Sequence, residues 1–166
     1  MLLKFFLNSN SKAYLRSLAQ EFGESTNAIR VELNKFEQAG LLQSELNGNK
    51  KLFRANTRHP LFSDIHNLIL KHVGIDRIVE NVIEKLGDLD KVFLVGDFAM
   101  GQDGQVIDLI FIGQDLKKQY LLKLVEKAED MIDRKIRYMV FNKNEFDEYM
   151  RSYTGVEPLL LWENKK

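Results

Sequence analysis

The sequence predicts an α+β chain in which a small helical domain ending in a hairpin precedes an α/β domain built on a mixed sheet. Three observations lead there. Apolar residues recur at helical spacing in three short segments before residue 40, and Asn47-Gly48-Asn49 then separates two strand-like runs. Beyond Pro60, runs of strand character alternate with amphipathic helices.

The first helix is expected from about Leu2 to Leu7. A second, with Ser11 as its N-cap, places Leu15, Leu18, Ala19 and Phe22 on one face, and Gly23 breaks the pattern. Ser25 can cap a third helix in which Ile29, Leu33 and Phe36 face inward, with Gly40 as its left-handed exit. The hairpin is then Leu41 to Leu46 and Lys51 to Ala55.

After Pro60 a helix from about Leu61 to His72 is followed by another carrying the stripe Ile75, Ile78, Val79, Val82, Ile83 and Leu86. Strands are expected at Lys91 to Val95, Val106 to Ile112, Ile136 to Phe141 and Pro158 to Trp162. Helices are expected at Leu116 to Ile132 and Glu145 to Tyr153. The expected organisation is a domain over 1–58, connecting helices over 59–89 and a second domain over 90–166.

A chain of 166 residues, 45% hydrophobic and 29% charged, has a globular composition. Its apolar runs fall far short of the roughly 18 residues that span a bilayer, and the N-terminus lacks the parts of a signal peptide. No membrane partner is expected, and the cytoplasm is the expected location. With no cysteine, disulfides, thiolate zinc sites and thiol catalysis are excluded. Net charge is zero, yet residues 1–58 carry nine Lys and Arg against five Asp and Glu, a local +4, and the remainder is at −4. The basic segment is therefore the candidate for a polyanionic partner.

Two helices joined by a short turn and followed by a two-stranded wing follow the winged helix-turn-helix plan. Through Leu18-Ala19, the helix beginning at Ser25, the Ala39-Gly40-Leu41 exit and the Lys-rich hairpin tip, the segment resembles winged-helix transcriptional regulators of the ArsR and MarR type. The helix beyond Ser25 would then be a recognition helix. Ser25 and Thr26 lie at its N-terminus, where backbone N–H groups favour phosphate. Thr26, Asn27, Arg30 and Asn34 lie away from Ile29 and Leu33, with Arg30 suited to guanine and Asn27 or Asn34 to adenine. Lys50, Lys51 and Arg54 on the wing suit phosphates, while Glu24 and Glu32 weaken the local positive field.

Farther along, Gly96, Ala99 and Gly101, followed by the strand Ile107-Asp108-Leu109-Ile110-Phe111-Ile112, resemble minimal nucleotidyltransferase domains of the DNA polymerase β superfamily. That family carries Asp-x-Asp on the strand, because carboxylates at i and i+2 share a face and can hold metal ions. Here Val106 takes the first position and Asp108 the second; the family's third carboxylate would come from 135–140, which has no acid. Asp97 stands where the family has a serine. Asp97 is expected to cap a helix starting at Phe98, and Asp108 to be satisfied by nearby backbone. Gly96, Asp97 and Asp108 are thus expected to be remnants of a nucleotide site.

His59, His66 and His72 lack metal-pair spacing, and Glu126, Glu129, Asp130 and Asp133 read as a solvated helix face. No metal, cofactor or catalytic residue is expected. The reading is a DNA-binding transcriptional regulator and not an enzyme, a pseudo-nucleotidyltransferase whose second domain serves dimerisation, ligand sensing or docking. Its expected partners are palindromic double-stranded DNA, a second copy of the chain and a small-molecule or protein effector. The alternatives are a divergent nucleotidyltransferase acting on protein or RNA, and an antitoxin-like adaptor using the winged helix for protein contact.

Overall fold

The computed structural model describes residues 1–86 and 88–165, and the chain divides into two compact units, Met1–Leu68 and Ile69–Lys166. The first begins with α1 (Leu2–Phe6), β1 (Lys12–Tyr14) and α2 (Leu15–Phe22). It continues with α3 (Thr26–Gln38), β2 (Leu42–Asn47) and β3 (Lys50–Ala55). Its sheet is antiparallel, in the order β1-β3-β2. Phe5, Phe6, Leu18, Ile29, Leu33, Leu42 and Phe53 are buried in its core. Helix α4 (Phe62–Val73) starts in this unit, where Phe62 packs on Phe6 and His66 Nδ1 lies 2.6 Å from the Phe6 carbonyl oxygen.

Local chemistry explains the helix ends. The Ser25 hydroxyl accepts from the Ala28 N–H at 3.1 Å, supplying one of the acceptors that the first turn of α3 lacks. Replacing Ser25 by alanine should lower stability by about 1 kcal/mol in a urea denaturation series, and an unchanged midpoint would mean the cap is not needed. At the other end of the turn, Gly23 adopts φ 65° while the Glu24 N–H reaches back to the Ala19 carbonyl at 3.0 Å, so α2 closes with a left-handed residue that a side chain would strain.

Two expectations fail here. Ser11 does not cap α2: the chain from Lys12 to Tyr14 is extended, pairing with Arg54, Phe53 and Leu52, and the helix begins only at Leu15. A strand of three residues is too short to show alternation, so only the pairing with β3 reveals it. Phe22, expected inward, is exposed.

The second unit holds α5 (Ile75–Ile78), a π-helical segment (Val79–Ile83) and α6 (Glu84–Leu86). After these come β4 (Leu89–Val95), α7 (Gly96–Ala99), β5 (Val106–Gly113), α8 (Lys118–Ile132), β6 (Lys135–Phe141), α9 (Lys143–Ser152) and β7 (Leu159–Glu163). The order β6-β5-β4-β7 gives the mixed sheet that was expected, because β5 and β6 run parallel through the crossover α8 while β4 is antiparallel to both β5 and β7. The π turn rotates the apolar stripe by about one residue, and Ile75, Ile78, Val82, Ile83 and Leu86 are all buried.

Central strand β5 is buried on both faces. Ile107, Leu109 and Phe111 point one way, and Ile110 and Ile112 the other, where they form a cluster with Val95 under Phe93, Phe141, Phe146 and Tyr149. Asn142 and Glu145 form a reciprocal capping box that starts α9, with Asn142 Oδ1 accepting from the Glu145 N–H at 2.9 Å and Glu145 from the Asn142 N–H at 2.8 Å. Among the described residues no helix is long and apolar enough to cross a membrane.

Candidate functional site

In the first unit, α3 and the β2–β3 hairpin face each other across a concave groove of about 610 Å³. One wall is α3, through Arg30 and Asn34. The facing wall is the hairpin, through Asn49, Lys50 and Lys51, and Tyr14, Arg16 and Ser17 close one end. Leu15, Leu33 and Phe53 also line it. Four cations and no carboxylate line the groove among the described residues, a lining that suits an anionic partner.

The hairpin is held in place before any partner arrives. Asn47 Nδ2 donates to the Tyr14 hydroxyl at 2.7 Å, and Lys50 Nζ sits 6.0 Å from the centre of the Tyr14 ring. On the other side Lys51 Nζ pairs with Glu37 of α3 at 3.2 Å, and Glu37 also accepts from the Ser44 hydroxyl. These bonds, the Ser44 hydrogen bond foremost, hold the Glu37 carboxyl below its usual value. Glu37 therefore keeps its charge to lower pH than an ordinary glutamate and ties α3 to both hairpin strands.

Of the residues singled out from sequence, Arg30, Asn34, Lys50 and Lys51 converge on this groove. Ser25, Thr26 and Asn27 are exposed at the N-terminal end of α3. Arg54 lies elsewhere. It alternates with the buried Phe53 and Ala55, is exposed in register with Lys12 and Gln43, and stands toward the end of β3 away from the hairpin turn. The hairpin pattern marked Arg54 as near the wing, but it stands four residues along β3 from Lys50, at the end away from the turn. Arg16 and Tyr14 escaped the sequence reading because a positioning helix and an unforeseen strand offered no reason to place them beside the hairpin tip.

In the second unit Gly96, Asp97 and Asp108 sit at the ends of β4 and β5. Gly96 has φ 67°, and a Cβ there would lie 2.6 Å from Asp108 Oδ2, so the position excludes any side chain. Asp97 is exposed in the first turn of α7, with Val95 as N-cap and no side-chain cap bond; the expectation that Asp97 caps a helix starting at Phe98 is corrected. Asp108 is likewise not satisfied by backbone. Its two oxygens accept from Arg137, one from Nε and the other from Nη2 at 3.0 Å, because the parallel register sets Asp108 directly opposite Arg137. The Asp108 side chain is only 15% exposed and the Arg137 side chain 76%, so the carboxylate is sheltered and the guanidinium caps it from solvent. This pair raises the affinity of Arg137 for its proton, Asp108 contributing most through its hydrogen bond.

The acidic face of α8 also differs from expectation. Glu129 accepts from the Ile136 N–H at 2.7 Å and from Lys135 at 2.9 Å, which lowers its pKa and fastens the end of α8 to the start of β6.

No family model matches the chain, and no curated protein matches it. Among solved structures, a protein from Sulfolobus solfataricus described as a "putative nucleotidyltransferase" matches with a TM-score of 0.40 and 23% identity, over 63% of this chain and 90% of its own. The expectation that the chain is not an enzyme is corrected on this finding, since the matched protein is described by an enzymatic activity.

Proposed function

We propose that the chain is a DNA-binding transcriptional regulator whose first unit is a winged helix and whose second is nucleotidyltransferase-like. One observation carries this: Arg30 and Asn34, one helical turn apart on the exposed side of α3, open into the same carboxylate-free groove as Lys50 and Lys51 of the hairpin. A helix reads bases only if its outward side chains reach edges while neighbouring cations hold the phosphates, and these four residues are spaced for that division of labour.

The order α2–turn–α3–hairpin supports the reading, as does the +4 charge of residues 1–58. As a symmetric dimer the protein would present two copies of α3 to half-sites about 34 Å apart, so its target would be palindromic. Selection from a random-sequence duplex library tests this directly. The expected result is an enriched inverted repeat with half-sites spaced by about one helical turn, bound more weakly as salt rises. A pool that stays unenriched after repeated rounds, with no salt-sensitive retention, would refute DNA binding.

A further inference from the structure

We infer that Arg137 is a built-in counter-ion: its guanidinium stands at Asp108 in the place of a divalent cation, and the cleft excludes such an ion for as long as the arginine is there. This concerns the second unit alone and does not depend on DNA binding by the first.

The resemblance of Gly96 through Ile112 to minimal nucleotidyltransferase domains implies a divalent ion held between carboxylates on adjacent strands. The residues present do not fit one. Val106 is the residue that shares the face of Asp108 at i and i+2, and β6 carries no acid from Lys135 to Phe141. Among the described residues no three His, Asp or Glu side chains are placed to hold a metal ion. Asp108 itself is engaged at both oxygens, one by Arg137 Nε and the other by Nη2 at 3.0 Å.

The fold builds this pairing in. The parallel register of β5 and β6 sets Asp108 opposite Arg137, and from the other side Gly96 leaves no room for a Cβ beside Asp108 Oδ2. A carboxylate only 15% exposed needs a counter-charge, because burial removes the water that would otherwise stabilise it. Arginine supplies that charge at any pH the folded protein meets, in a fork that fits both oxygens. Asp108, first through its hydrogen bond, and then Asp97 both tighten the hold of Arg137 on its proton, so the guanidinium serves two carboxylates as an ion would. An incoming divalent ion would have to break two charge-assisted hydrogen bonds and then lie against a fixed positive charge. Asp108 and Arg137 are the only charged residues lining the cavity of about 220 Å³ at this point, among the described residues.

The test is Tb³⁺ luminescence of the full chain, excited through tyrosine. Tb³⁺ is a hard cation that takes oxygen ligands, and Tyr138 and Tyr153 line the same cavity as Asp108. The unmodified protein should show no emission that Asp108→Asn removes. Arg137→Gln frees both oxygens and takes away the positive charge, so emission should rise several-fold, fall again in the double variant with Asp108→Asn, and be displaced by Mg²⁺. Arg137→Lys keeps the charge and should stay near the unmodified level. Far-ultraviolet circular dichroism checks that each variant is folded, and Arg137→Met serves if Arg137→Gln is not. Emission from the unmodified protein that Asp108→Asn abolishes would overturn the inference with no change at Arg137, because the ion would then displace the arginine. A folded Arg137→Gln or Arg137→Met protein that binds no Tb³⁺ at Asp108 would overturn it too, since the arginine would then be filling no ion's place.

Discussion

Arg30→Ala is expected to weaken binding to the selected site by about 5- to 150-fold, corresponding to about 1–3 kcal/mol for a bidentate contact to a base. The magnitude follows from the position of Arg30. It lies one residue beyond the buried Ile29, so packing of α3 fixes the backbone beneath it while the side chain is exposed and lines the groove. No carboxylate lining the groove would compete for its guanidinium.

Arg30→Lys separates charge from fork geometry. It should keep most of the affinity for random duplex and lose preference at one base position, because a lysine ammonium satisfies a phosphate but cannot pair with two acceptors in one plane. Fluorescence anisotropy on selected and random duplexes reads both quantities. Equal affinity of Arg30→Ala and the unmodified protein for the selected site would remove Arg30 from base recognition.

Phe111→Ala is expected to have the largest effect on stability, about 3–5 kcal/mol in the second unit. Phe111 is fully buried at the centre of β5, between Val92 of β4 and Val140 of β6 in register, and its ring meets that of Tyr138 edge-on with centroids 5.8 Å apart. Truncation removes the ring from a strand covered on both faces, where the neighbours on β4 and β6 are held by ladder bonds and cannot close the void. Urea denaturation followed by far-ultraviolet circular dichroism measures it, with tryptophan fluorescence as a second probe, since the single tryptophan, Trp162, pairs with Val92 on the same sheet. A loss below about 1 kcal/mol would mean that β5 is not the centre of this core.

Much of the architecture was legible in local chemistry. The Ser25 cap, the left-handed glycines at 23 and 40, and the Asn-Gly turn all act within a few residues of where they are read. The four strands of the second unit were recoverable for the same reason: apolar runs bounded by turn residues report burial, and burial is a property of each run. Strand β1 was not recoverable, since three residues between two helices carry no period.

The sequence by itself determined which residues are apolar and with what period, hence the elements and the basic character of the first unit. Tertiary structure alone decided which side chains meet. Arg16 joins Arg30 and Lys50 because α2, α3 and the hairpin pack on one core, and Arg54, at the end of β3 away from the hairpin turn, does not line their groove. Asp108 meets Arg137, twenty-nine positions away, because α8 returns the chain to lie parallel beside β5 in one register, and a shift by one residue would have turned Arg137 to the other face of the sheet. Periodicity is written along the chain, whereas register is set by the packing of distant segments.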